Sequence, residues 1–219
     1  IVEHMAARLG ICGISTEGST SQLKPSIRIS SKELEAGRLI LKGYGLKDDD
    51  IIIGVAPGAS FGSAKMYPVE SFTKALTELA KELGARVVIL GGPGDALLAR
   101  ELYTALVLSL DAKPINLVGV TSLREFMAIT STLKLFLTND SGPMHVSAAL
   151  GTPTVAIFGS TSPALTSPLG NRTALIYKGL SCSPCFKREC PLGHLNCLKN
   201  LPPSEVVEAS LELYSEVSR

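Results

Sequence analysis

Between Ile51 and Phe158 the chain repeats one pattern: a short apolar run, a turn rich in glycine and serine, and a stretch with apolar side chains at helical spacing. The apolar runs are Ile51–Val55, Val87–Leu90, Ile115–Val118, Leu133–Leu137 and Thr154–Phe158. They are rich in β-branched residues and do not alternate with polar ones, as expected of strands buried on both faces. The stretches between them predict helices over 69–83, 95–109, 122–132 and Met144–Leu150. The first carries Phe72, Leu76, Leu79, Ala80 and Leu83 on one stripe and is closed by Gly84. Strands that alternate with helices through short connections pair in parallel and need cover on both sides. The expected fold class is therefore α/β, a Rossmann-like doubly wound parallel sheet with helices on both faces.

The flanks are less regular. Residues 1–10 read as helical, with Ile1, Val2, Met5 and Leu9 at roughly helical spacing before Gly10. Residues 11–30 are rich in Ser, Thr and Gly and read as a linker, with Ile27 and Ile29 as a short strand. Ser30 or Ser31 can cap a helix over roughly 31–43, which Gly43 and Gly45 would end. The chain opens on Ile1 rather than Met, in what reads as mid-helix, so it is expected to be the middle of a longer polypeptide. The expected division is 1–45 as a linker and helical segment entering from an upstream domain, 46–179 as the Rossmann-like domain, and 180–219 as a cysteine-rich loop and a C-terminal helix.

Composition excludes several classes. With 219 residues, 45% hydrophobic and 19% charged, the chain can bury a core without staples. The 21 basic and 20 acidic residues leave a formal charge of +1, with no long run of one sign, which argues against a nucleic-acid partner. No apolar run is long enough to span a bilayer, and no signal-peptide pattern opens the chain. A cytoplasmic protein is expected, and a peripheral contact with the inner membrane stays open.

In such folds ligands sit beyond the carboxyl ends of the strands, and the polar clusters fall there. After the first strand comes Ala56–Lys65, after the second Gly91–Asp95, after the third Gly119–Leu123, after the fourth Thr138–His145, and after the fifth Gly159–Pro163. Each leads toward a helix, whose N-terminal amides suit an anion. The glycines of 57–65 can let backbone N–H groups approach a phosphate, with Lys65 adding a full charge. The spacing is neither a Walker A loop nor GxGxxG, so a glycine turn with a solvated Lys remains the alternative. Asp140 and Ser141 stand where a helix N-cap is expected, yet Asp140 can equally accept from sugar hydroxyls, while the Ser141 and Gly142 amides face a ligand. His145, one turn on, can join that site or pack in the core. Asp95 can bind a ribose diol or cap the next helix.

Cys182, Cys185, Cys190 and Cys197 follow the spacing C-x2-C-x4-C-x6-C, with His194 among them. Four thiols can complete a tetrahedral zinc site, but this is not a standard knuckle spacing, and the default reading is a thiol-rich loop packed near a substrate. Cys12 stands alone.

Pro57-Gly58-Ala59-x-x-Gly62-x-Ala64-Lys65-x-Tyr67-Pro68 resembles the donor loop of glycosyltransferase family 9, the ADP-heptose:lipopolysaccharide heptosyltransferases. Gly119-x-Thr121-Ser122-Leu123, Asn139–Val146 and Gly159–Pro163 look like three further motifs of that family. Cys182–His194 resembles the branch that adds the second heptose. Tyr67 stands where Trp is common and Pro143 where Leu is common. Neither departure removes a charged or hydrogen-bonding group.

The resemblance implies a GT-B fold of two facing Rossmann-like halves, of which this chain matches the C-terminal, donor-binding one. It implies inverting transfer of heptose from ADP-heptose to the heptose of the lipopolysaccharide inner core, with no cofactor and no catalytic metal. The acceptor and the general base belong to the N-terminal half. Lys65 and Asp140 are then the expected catalytic residues, with Ser60 and Ser63 near the phosphates, Thr121, Ser122 and Leu123 near adenine, and Asp140 and His145 on the sugar and diphosphate side. Ser141 and Gly142 complete that side, and Asp95 is placed by position alone. Three rivals remain: a nucleotide-sugar-binding module without activity of its own, another GT-B enzyme using a different nucleotide sugar, and a zinc-stabilised interaction domain.

Overall fold

The structure, a computed structural model, describes residues 25–217. The expected helix over 1–10, most of the linker and Cys12 lie outside those residues. Six strands form one wholly parallel sheet in the order β3-β2-β1-β4-β5-β6, the doubly wound arrangement expected. They are β1 (Ile52–Ala56), β2 (Arg86–Ile89), β3 (Ile115–Asn116), β4 (Leu135–Asn139), β5 (Thr154–Phe158) and β6 (Thr173–Tyr177). Every residue of β1, β4 and β5 is buried, which explains why their sequences run apolar without alternation.

Eight α-helices cover the sheet among the described residues: α1 (Ser31–Gly43), α2 (Val69–Leu83), α3 (Ala96–Ser109), α4 (Leu123–Thr130), α5 (Gly142–Leu150), α6 (Pro163–Thr166), α7 (Asn196–Lys199) and α8 (Pro203–Val217). On one face α2 buries Phe72, Leu76 and Leu79 against β1 and β2, with α3 and α8 packed beside it. Each such side chain contributes roughly 1.5–3 kcal/mol when removed from water. On the other face α1 and α4 pack together over Ile52, Val88 and Phe136. Both helices open with a capping box, Ser30 with Glu33 and Ser122 with Glu125. Arg124 bonds Glu33 across the two helices (2.7 Å). The Ser30 hydroxyl and amide, then Arg124, hold the Glu33 carboxyl at about 2. Thus α1 and α8, expected outside the central domain, pack onto its core.

Three readings of the sequence are corrected. Ile27 and Ile29 form no strand; Ile27 donates its N–H to Ala149 at the end of α5, away from the sheet. The third strand stops at Asn116 rather than Val118, because the Asn116 side chain accepts the Val118 N–H (3.0 Å) and turns the chain. A sixth strand, β6, pairs with β5 along Thr173–Tyr177. It is an edge strand and only partly buried, so it lacks the continuous apolar signature.

The sheet order reverses between β1 and β4, whose chains leave in opposite directions around the sheet. Val55 pairs with Leu137 and Ala56 with Thr138, so residues 57–65 and 139–145 emerge side by side at one crevice.

Candidate functional site

The loop after β1 is fixed from below by Asn139, the last residue of β4. Its side-chain amide donates to the Pro57 carbonyl (2.6 Å), and its oxygen accepts the Tyr67 N–H (2.9 Å). Tyr67 is buried edge-on to Phe72 and donates its hydroxyl to the Leu201 carbonyl (2.9 Å). Burial raises its pKa to about 12, so the phenol stays protonated. A Cβ on Gly58 would stand 1.9 Å from the Asp95 carboxylate, so a larger residue there has to displace that side chain.

The loop is held from above by the cysteine-rich segment. Ala64 donates to the Arg188 carbonyl (3.0 Å), Phe186 to Ser160 (2.7 Å), and the Ser183 hydroxyl to Gly159 (2.5 Å). Gly62, at φ 150°, sits where a Cβ would meet the Arg188 carbonyl at 2.3 Å. The segment that sequence spacing set apart from the donor loop therefore forms its roof.

Lys65 ends a short 3-10 turn, Ser63–Lys65, and reaches across the crevice to Asp140. The ammonium lies 2.7 Å from the Asp140 carboxylate and 3.4 Å from its carbonyl. The pair is nearly closed to solvent, with side chains 11% and 4% exposed. The same carboxylate oxygen accepts from Thr161 (2.5 Å) and Thr166 (3.2 Å). One oxygen of Asp140 thus carries three donors, while the bonds around it leave the other without a donor among the described residues. An ammonium has three protons. Two point at Asp140, leaving one for the pocket.

Asp140 is therefore no helix cap, and the Ser141 hydroxyl turns back to Thr138 and Asn139 rather than onto α5. At the start of α5 Pro143 has no N–H and the Met144 N–H is used on the Ser141 carbonyl (3.1 Å), so Gly142 is the position of its first turn whose N–H can meet an anion. Ser60, Phe61, Lys65, Asp140, Ser141, Gly142, His145 and Thr166 line one pocket of about 280 Å³. His145 is at the surface and outside the core. Partial burial of the ring lowers its pKa, against the pull of Asp140 and with a smaller push from Lys65, so the neutral form is favoured.

Gly142 also lines a second, more apolar cleft of about 400 Å³, with Thr121, Ser122, Leu123, Phe126, Pro143 and Val146 around it and Gly91–Pro93 at its rim. The structure thus brings together nine of the expected residues in two adjoining hollows. It leaves two outside the lining. Ser63 is exposed beyond the pocket, and Asp95 accepts the Gly92 N–H (3.0 Å) beneath the rim. A wider cavity of about 500 Å³ between residues 25–27 and Gly170–Arg172 holds none of the expected residues. Phe61, Thr161, Thr166, Arg188 and Asn139 were not singled out. All but Thr166 lie inside the motifs named above; Phe61, Thr161 and Asn139 carry no charge to mark them, and Arg188 stands among cysteines rather than in a loop after a strand.

The four cysteines described are free, three half-buried and Cys197 buried. Burial and then the neighbouring sulfurs of Cys182, Cys185 and Cys190 push the Cys197 thiol up. Backbone N–H groups, that of Leu195 foremost (3.4 Å), pull Cys190 down. Among the described residues no three His, Cys, Asp or Glu side chains stand so as to hold one metal ion.

The sequence model of glycosyltransferase family 9 (heptosyltransferase) matches residues 8–196. The chain belongs to glycosyltransferase family 9. Among its family 9 relatives, a lipooligosaccharide heptosyltransferase 2 of Campylobacter jejuni is 39% identical over 165 residues, 74% of this chain and 51% of that protein. A lipopolysaccharide heptosyltransferase 2 of Salmonella typhimurium is 32% identical over 194 residues, 89% of this chain and 55% of that protein. The chain thus spans about half the length of the curated relatives it matches. The solved Escherichia coli ADP-heptose heptosyltransferase II superposes with a TM-score of 0.78 at 29% identity, over 92% of this chain and 57% of that one. Escherichia coli heptosyltransferase WaaC, solved with ADP, shares the fold at 22% identity and a TM-score of 0.60, over 91% of this chain and 53% of that one. No helix among the described residues is long and apolar enough to cross a membrane.

Proposed function

We propose that this family 9 chain is the C-terminal, donor-binding half of an inverting, metal-independent heptosyltransferase, one that moves heptose from ADP-heptose to the heptose of the lipopolysaccharide inner core. The observation that carries this reading is the adjoining pair of hollows, one apolar and one charged, sharing Gly142 at the β1/β4 crevice. The apolar cleft suits adenine, with Thr121 and Ser122 at its edge and Leu123 and Val146 against the ring. The charged hollow suits the diphosphate and the first sugar. ADP is the ligand to try first, since WaaC was solved with it.

In the reaction an acceptor hydroxyl oxygen attacks the anomeric carbon of heptose. The carbon–oxygen bond to the β-phosphate breaks, and ADP leaves with the electron pair. The hydroxyl proton goes to a base that the family resemblance assigns to the N-terminal half. Charge grows on the leaving diphosphate, where the Lys65 ammonium and the Gly142 N–H at the start of α5 are held in place. Donors that need no reorganisation stabilise the transition state more than the ground state. The free oxygen of Asp140 and the neutral ring of His145 accept or donate to heptose hydroxyls. Residues within 46–179 supply both hollows, and Ser183, Phe186 and Arg188 from the segment after residue 180 roof the donor loop. A working site on the cytoplasmic face, with peripheral contact at the inner membrane, fits a lipid-linked acceptor.

The test is transfer by the polypeptide that carries this chain together with an acceptor half, given ADP-heptose and an inner-core acceptor ending in heptose. Release of ADP with one heptose added to the acceptor is expected. ADP release without any acceptor product, or transfer from a UDP-sugar in preference, sinks the proposal.

A further inference from the structure

We infer that Arg188, at the tip of the cysteine-rich roof, is a second cation of the diphosphate site and works jointly with Lys65. The inference rests on the donor-binding reading above. Phe61 lines the charged hollow, and two cations sit on its ring: the Lys65 ammonium 4.9 Å from the centroid and the Arg188 guanidinium 5.5 Å from it. Both charges therefore face the same ring, which itself lines the charged hollow, and an anion held beside that ring feels both.

The two are neutralised unequally. Lys65 is paired with Asp140, whereas Arg188 is exposed and has no carboxylate partner among the described residues. The trio of Lys65, Asp140 and Arg188 thus keeps one net positive charge, and Arg188 is its source. A guanidinium left in water beside a ring normally drifts. Here its backbone is pinned, because the Arg188 carbonyl accepts the Ala64 N–H one residue before Lys65, and Gly62 leaves room for that contact. The roof thus anchors a planar fork of donors, suited to phosphate oxygens, within side-chain reach of the Phe61 ring and the hollow it lines. Lys187, its neighbour, is also exposed but touches no ring of the site.

ADP carries one more phosphate than AMP, so a second cation should show itself in the preference between them. Affinities of the chain for ADP, AMP and UDP are measured by calorimetry at low and physiological salt, for the wild type and for Arg188→Gln, Arg188→Lys and Lys187→Gln. We expect Arg188→Gln to weaken ADP about tenfold, the size of one charge-assisted contact, and AMP much less. Its ADP affinity should also fall less steeply with salt. Arg188→Lys should keep part of the preference, and Lys187→Gln nearly all of it. Circular dichroism checks that each variant is folded, as a surface arginine should allow. A wild type that binds ADP over UDP, with Arg188→Gln equal to it in affinity and salt dependence, overturns this inference alone. A wild type without that preference overturns the donor-binding reading and this one with it.

Discussion

Replacing Asp140 by Asn removes one charge and almost no volume from a nearly closed ion pair. The amide oxygen still accepts from Thr161 and Thr166, now 2.5 and 3.2 Å away, so the local hydrogen bonding survives. What is lost is the compensation of Lys65, 2.7 Å away and only 11% exposed. Removing one partner of a buried pair costs about 3–5 kcal/mol, because the other charge stays behind. The remaining exposure of Lys65 and its contact with the Asp140 carbonyl (3.4 Å) put this pair at the lower end, about 3 kcal/mol. A domain of this size loses roughly 2–4 °C of Tm per kcal/mol, so Asp140→Asn should melt about 6–12 °C lower. Lys65→Met in the same background removes the stranded charge and should restore much of that loss. The double-mutant cycle should give a coupling of about 1–3 kcal/mol. ADP should bind Asp140→Asn at least as tightly as wild type, since the carboxylate competes with phosphate for Lys65. Thermal melts of the four proteins and ADP titrations decide the matter. A Tm within about 2 °C of wild type, with strictly additive single mutants, would mean the pair does not form in solution.

Lys65→Ala in the complete transferase should cut turnover by roughly a hundred- to a thousand-fold, with Lys65→Arg a partial rescue, and near-wild-type steady-state kinetics would remove Lys65 from the site. His145 should titrate below the ordinary value of about 6.5, because partial burial and Lys65 both disfavour its charge. A depressed histidine contributes stability that is full above the unfolded value and lost as pH falls from there toward the folded midpoint. Bound ADP brings negative charge and should raise that midpoint, so ADP should bind more tightly as pH falls through it. NMR of the ring proton, assigned with His145→Gln, checks both, and a midpoint that ADP does not move would contradict the placement. Under brief alkylation at pH 7.5 Cys190 should react faster than Cys197, since backbone N–H groups favour one thiolate and burial opposes the other. Equal labelling of the two by mass spectrometry would refute that ordering. Serine at all four cysteines should lower stability more than turnover per folded molecule, and a folded variant with turnover lost by orders of magnitude would count against it.

How much of this could be read from the residues follows from what each signal is made of. The strands β1, β2, β4 and β5 were legible because burial on both faces leaves their runs mostly apolar, although β4 lies two residues beyond the expected Leu133–Leu137 and ends on the buried polar Thr138 and Asn139. The edge strand β6 was not, since its half-exposed residues need only a neighbour to pair with. The donor loop and the Asn139–His145 segment were legible through glycines, charges and their place after strands. The bond that joins them spans 75 residues, and no local pattern states it. Thr161 and Thr166 act through uncharged hydroxyls, which composition cannot tell from helix caps. The roof over the donor loop was hidden for another reason. Its cysteines invited a metal reading, while its contacts run through the backbone of Phe186 and Arg188.

The central claim is that the two hollows around Gly142 are one ADP site, and a crystal structure of this chain with ADP tests it most directly. The account predicts adenine between Leu123 and Val146, the diphosphate within hydrogen-bonding distance of the Lys65 ammonium and the Gly142 N–H at the start of α5, and the ribose between them. Nucleotide bound elsewhere on the sheet, or a diphosphate turned away from Lys65 with the Lys65–Asp140 pair undisturbed and no α5 amide engaged, would contradict it.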